Sequence, residues 1–148
     1  DAKKQGKLGV TVLSSAKKMP FLSDPKFLKH KGFKVADTAD PQFELLYMPF
    51  DASAPAPAFK SQVKHPRIPD AGLALFYTDQ CPFAGKYAHI AARMAEERGV
   101  PFALHKIDSL EKAKAAPAAC TAYALFRDGE FETNEILSEK KLSELFGR

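Results

Sequence analysis

The stretch from Leu73 to Arg98 constrains this chain more than any other. It opens on an apolar run, Leu73-Ala-Leu-Phe-Tyr77, crosses a polar turn, Thr78-Asp-Gln80, and reaches Cys81-Pro82. Beyond it Phe83, Tyr87, Ile90, Ala91, Met94 and Ala95 fall at helical spacing, and Gly99 stands where such a helix would end. The order is therefore strand, turn, helix. Proline suits a first helical turn, because the N–H it lacks has no partner there. A cysteine just ahead of it faces unpaired backbone N–H groups and the positive end of the helix dipole. Both favour thiolate over thiol, which makes Cys81 the first candidate nucleophile and Pro82 a residue that shapes its surroundings.

The remainder of residues 72–148 continues in the same manner. Pro101 to Ile107 reads as a second strand. Asp108 and Glu111 have capping-box spacing, with aspartate in place of Ser/Thr, and predict a helix to about Ala116. Thr121-Ala-Tyr-Ala-Leu-Phe126 is a third strand, and Asp128-Gly129 is a two-residue hairpin signal. Phe131 belongs to the returning strand, and Ser138 opens a last helix carrying Leu142, Leu145 and Phe146. The sum is β-α-β-α-β-β-α. A helix joins the first two strands, which favours parallel pairing between them.

A chain of 148 residues allows one ordinary domain or two small ones. Its eleven prolines, several of them mid-chain, favour two. Ala52-Ser-Ala-Pro-Ala-Pro-Ala58 and His65-Pro-Arg-Ile-Pro69 favour extended chain. Residues 52–71 are read as a Pro/Ala-rich linker, or alternatively a ligand for a proline-binding partner, between residues 1–51 and 72–148.

In the first part, residues 1–5 read as the tail of a helix. Leu8-Gly-Val-Thr-Val-Leu13 is a β-branched run that predicts a buried strand. Ser23-Asp24-Pro25 starts a helix, to which Phe27 and Leu28 bring apolar contacts and which Gly32 ends. Two strands follow, Phe33 to Asp37 and Gln42 to Met48, around a turn at Ala39-Asp40-Pro41. This β-α-β-β segment of roughly 50 residues buries too little to close a core, and exposed sheet edges invite pairing. It is expected to complete a sheet supplied by upstream chain or a partner subunit, or to pack on the second part.

Lys7-Leu8-Gly9-Val10-Thr11-Val12-Leu13 followed by Phe27-Leu28-Lys29-His30-Lys31-Gly32-Phe33 resembles the closing half of a GNAT-type N-acetyltransferase. The resemblance implies a mixed α/β fold and acetyl transfer from acetyl-CoA to an amine by the whole protein. It implies that backbone groups of Val10, Thr11, Val12 and Leu13 line the pantetheine channel. The family's pyrophosphate loop, an Arg/Gln-x-x-Gly-x-Gly/Ala phrase, would lie upstream of Asp1. The family's tyrosine, a general acid, falls at Leu28, which has no proton to donate. His30 is read as facing water and Tyr47 as a packed strand residue.

The second part resembles the thioredoxin-like YoaP-like domain found after GNAT domains. The phrases that carry this are Tyr77-Thr-Asp-Gln-Cys-Pro-Phe83, Phe126-Arg-Asp-Gly-Glu-Phe131 and Thr133-Asn-Glu-Ile-Leu-Ser138. Cys81-Pro82-Phe83-Ala84 lacks the second thiol of Cys-x-x-Cys, so only a monothiol route through a mixed disulfide is open. The fold places a cis-proline loop ahead of its third strand. Counting back from Phe126 puts Thr121 at that position and Cys120 beside Cys81 as a partner thiol. Counting from Pro117 instead moves Cys120 into the strand. Asp79 would oppose a thiolate at Cys81, and Lys86 would favour one if it folded back. His89 is read as solvated and His105 as no ligand.

Three functions stay open: the C-terminal part of an N-acetyltransferase, a docking module without catalysis, and a monothiol redox protein. No apolar run approaches the ~20 residues of a membrane span, and no secretory pattern opens the chain. Two distant cysteines are no disulfide framework, which points to a reducing, cytoplasmic setting. The net charge of +4 comes from lysines spread along the chain, not gathered in a stripe, which argues against nucleic acid. No Cys/His set has zinc spacing, and neither a nucleophile elbow nor a phosphate loop is present.

Overall fold

A computed structural model describes residues 1–147. It is a mixed α/β protein of two compact units, Asp1–His65 and Pro66–Arg148. Among the described residues there are two sheets and five α-helices.

The first unit opens on a 3-10 turn at Lys3–Gln5, where a helix tail was expected. Strand β1 (Gly9–Ser15) leads through a loop to helix α1 (Pro25–His30), then β2 (Lys34–Ala39) and β3 (Phe43–Pro49). The sheet order is β1-β3-β2, all antiparallel. Asp24 caps α1 as its sequence signal predicts, accepting hydrogen bonds from the N–H groups of Lys26 and Phe27. Leu28 is buried under the helix, whereas Phe27 is 60% exposed, against expectation. Phe27 sits one position away on the helix surface, beneath the Lys31 ammonium at 5.5 Å.

Part of the proline-rich stretch belongs to this unit. Helix α2 (Ser61–Lys64) buries Val63. The Phe59 N–H and the Lys64 ammonium both reach the Asp37 carboxylate on β2, at 2.8 and 2.9 Å. Two hydrogen bonds to one carboxylate hold these residues as structure and not as free spacer.

The second unit contains β4 (Leu73–Tyr77), α3 (Pro82–Glu97), β5 (Phe102–Lys106), α4 (Leu110–Lys114), β6 (Tyr123–Arg127), β7 (Glu130–Thr133) and α5 (Glu139–Phe146). The sheet order is β5-β4-β6-β7, and β4 and β5 run parallel, as a helical crossover requires. Asp128 and Gly129 turn the β6–β7 hairpin with φ of 49° and 83°, the two left-handed residues of a tight hairpin turn. Helix α4 is capped by Ser109 and not by Asp108, whose carboxylate instead pairs with Lys112 at 2.7 Å. It ends at Lys114, short of the expected Ala116.

Central β4 divides two apolar clusters. One holds Leu73, Leu75 and Tyr77 against α3 and α5; the other holds Ala74 against Phe126 and Ala118. The buried face of α3 consists of Ala84, Ala88, Ala91 and Ala95. Ile90 and Met94 flank it, and Phe83 points out, 60% exposed. Small side chains let the helix backbone approach the sheet; an aromatic ring on that face would hold it off.

Candidate functional site

The chain leaves β4 through Thr78-Asp79-Gln80, and Cys81 follows as the N-cap of α3, with Pro82 in its first turn. The Cys81 backbone is extended and its side chain caps no helical N–H. The thiol is free and half-buried, packed against the larger core. This is the position that the Cys-Pro signal predicts.

Its neighbours differ from expectation. The Asp79 carboxylate is engaged by Lys106 at the end of β5, 2.5 Å away, and that hydrogen bond holds the ammonium above its ordinary range. Asp79 also lies against the first turn of α3, where a Cβ on Gly85 would come within 3.3 Å of Oδ1. Glycine leaves the carboxylate its room. Lys86 does not fold back; its ammonium lies over the Tyr87 ring, 5.7 Å from the centroid.

His89 is exposed, but its Nε2 shares a hydrogen bond of 3.2 Å with the hydroxyl of buried Tyr77. Cys81, Gly85 and His89 stand four residues apart at each step and so share one helix face, but no sequence pattern pairs His89 with Tyr77, which lies on β4. His105 stacks on Phe76 at 4.5 Å, with Asp70 3.6 Å from its Nε2.

Cys120 is free and buried in the loop ahead of β6. Burial pushes its thiol pKa up, against the opposing pull of the Tyr123 and Ala122 N–H groups and the Asn134 amide. Thr121 follows it and lines a groove together with Thr78, Asp79 and Gln80. Among the described residues the cis peptide bond is Asp40–Pro41, so neither Thr121 nor Pro117 follows one.

In the first unit, Val10, Thr11, Val12 and Leu13 lie along β1, an edge strand paired to β3 on one side. Tyr47 is buried and its hydroxyl donates to the Leu8 carbonyl at 3.3 Å, a packing role. His30 is exposed at the end of α1. No helix among the described residues is long and apolar enough to cross a membrane. No group of three or more His, Cys, Asp or Glu among them is arranged to hold a metal ion.

Residues 101–143, in the second unit, match the YoaP-like family profile. The chain is 40% identical over 145 residues to a Bacillus subtilis (strain 168) protein named uncharacterized N-acetyltransferase YoaP. That alignment takes in 98% of this chain, and the chain spans 58% of the relative's length. No solved structure matches it.

Proposed function

We propose that this chain is the C-terminal part of an N-acetyltransferase that moves an acetyl group from acetyl-CoA to an amine, with the second unit as an accessory domain. One observation carries the reading: 40% identity to a protein named as an N-acetyltransferase runs through both units and not the second alone. Acetyl-CoA, when bound, supplies the activated acetyl group. The edge strand β1 suits the pantetheine arm, since one side of Val10 to Leu13 has backbone donors and acceptors left by β3. The start of α1 does not suit a diphosphate, because the Asp24 carboxylate already occupies its N–H groups. An amine acceptor must reach the thioester as the neutral base, and the tetrahedral oxyanion needs donors aimed at it.

The test is release of free CoA by the protein encoded in full, with amino acids, polyamines and lysine peptides as acceptors. Amine-dependent release is expected. Release that no amine stimulates, from folded protein, overturns the reading.

A second reading is favoured by the place of Cys81, half-exposed at a helix start. Its thiolate would attack a low-molecular-weight disulfide, R–S–S–R, to form Cys81–S–S–R and release R–S⁻. Treatment with glutathione disulfide would then leave one free thiol per chain, and Cys81→Ser would abolish the adduct. A Cys81–Cys120 disulfide would instead lower the count of free thiols from two to zero without dimerisation.

A further inference from the structure

Strand β5 is an edge of the second unit's sheet, with β4 on one side. Two flanking hydrogen bonds fix which of its backbone groups face β4. The Leu73 N–H donates to the Pro101 carbonyl, and the Ile107 N–H donates to the Tyr77 carbonyl. In a parallel pair such bonds recur at every second residue. In this register Ala103 and His105 direct their N–H and C=O groups at β4. Phe102, Leu104 and Lys106 turn theirs outward. Among the described residues no other backbone group is bonded to them.

An open edge is a template for a further strand, and proteins blunt it with charge, proline or a covering segment. The opposite edge, β7, is blunted. It carries Glu130 and Glu132, Arg67 bridges to Glu130, and the Ile68 N–H donates to the Gly129 carbonyl. Phe102-Ala-Leu-His105 contains no acidic residue, lysine, arginine or proline. Its side chains are half-buried, with Phe102 and Leu104 on the larger core and Ala103 on the smaller.

The edge is also complementary to itself. Laid antiparallel on its own copy about Leu104, it sets Phe102 opposite Lys106, Ala103 opposite His105 and Leu104 opposite Leu104. No like charges meet, and the aliphatic stem of Lys106 lies along the Phe102 ring. The three outward residues take the hydrogen-bonded positions of the ladder, with two bonds to each pair and about six in all.

We propose that β5 pairs antiparallel with β5 of a second copy, joining two four-stranded sheets into one across a two-fold axis. Five residues of edge bury less than the roughly 1,200 Å² of a standard interface, so the dimer is weak, with a dissociation constant on the order of 100 μM. The proposal rests on neither reading of the reaction above.

The test is sedimentation together with amide hydrogen exchange of the full 148-residue chain, from about 10 μM to about 1 mM. The mean mass should rise toward twice 16.3 kDa. Over the same range the amides of Phe102, Leu104 and Lys106 should gain about fivefold in protection, while those of Ala103 and His105, bonded to β4, should not change. Leu104→Pro removes only an outward N–H, which an edge strand tolerates, and should keep the chain monomeric throughout. Phe102→Lys places a lysine opposite Lys106 at both ends of the ladder and should weaken association about tenfold. Unchanged protection of Ala103 and His105 certifies that each variant is folded. A parent chain that stays monomeric at the highest concentration overturns the proposal. So does a dimer whose protection appears on another strand, or spreads evenly over Ala103 and His105 as well. A folded Leu104→Pro chain that still dimerises overturns it too.

Discussion

Tyr77 on β4 and His89 on α3 are joined by a hydrogen bond of 3.2 Å, with their rings 5.8 Å apart and nearly perpendicular at 76°. The phenol is buried and the imidazole exposed, so the bond ties the end of the central strand to the helix that Cys81 begins.

Removing the phenol oxygen should therefore be felt. Tyr77→Phe is expected to cost about 0.5–1.5 kcal/mol, the net worth of one such hydrogen bond. His89→Ala should cost a similar amount, and the double variant less than the sum. Urea unfolding of the four proteins measures this. Strict additivity would mean that the two side chains do not interact in solution.

The alanine face of α3 makes a sharper demand. Ala84, Ala88, Ala91 and Ala95 have no exposed surface. Enlarging one of them, as in Ala91→Leu, should destabilise the chain by about 1–3 kcal/mol through overpacking. Phe83→Ser, on the exposed side of the same helix, should stay within about 0.5 kcal/mol of the parent. Thermal unfolding of the two variants distinguishes the faces, and reversed sensitivities would contradict this placement of the helix.

Gly9 lies beneath the Tyr47 ring. A Cβ there would run into Tyr47 Cε2 and come 2.7 Å from the Met48 carbonyl oxygen. The ring can move aside, but the carbonyl is held by the pairing of β1 with β3. Gly9→Ala should cost about 1–3 kcal/mol. It should also free the Tyr47 hydroxyl from Leu8, a change that the tyrosine ring resonances would report. Unchanged stability together with unchanged resonances would refute the contact.

Acid should loosen residues 59–64 from β2. Hydrogen bonds from Lys64, Phe59 and Thr38 hold the Asp37 carboxyl below its ordinary value of 3.8. A lowered folded pKa means that this pairing stabilises fully above 3.8 and is lost as pH falls through the lowered value. Hydrogen-exchange protection of Phe59 and Val63 should drop in that acid range, and Asp37→Asn should remove much of the protection at neutral pH. Equal protection in Asp37→Asn and the parent would show that the carboxylate does not hold this segment.

Much of this protein is written locally along the chain. Asp24-Pro25, Cys81-Pro82 and Asp128-Gly129 each set a helix start or a turn through groups a few residues apart, so sequence alone determined the order of elements and the place of Cys81 at a helix start. The residues at helical spacing announced α3 and, in Ala91 and Ala95, half of its buried face, but not Ala84 and Ala88, because alanine carries little hydrophobic signal while fitting closest to a sheet. Ser109 takes the cap expected of Asp108, and the aspartate pairs with Lys112 instead. The pairs Asp79–Lys106, Tyr77–His89 and Asp37–Lys64 join residues 12 to 27 positions apart. Strand register and the docking of helices decide which of these long side chains meet. Those distances depend on the whole assembled sheet, which no local pattern encodes.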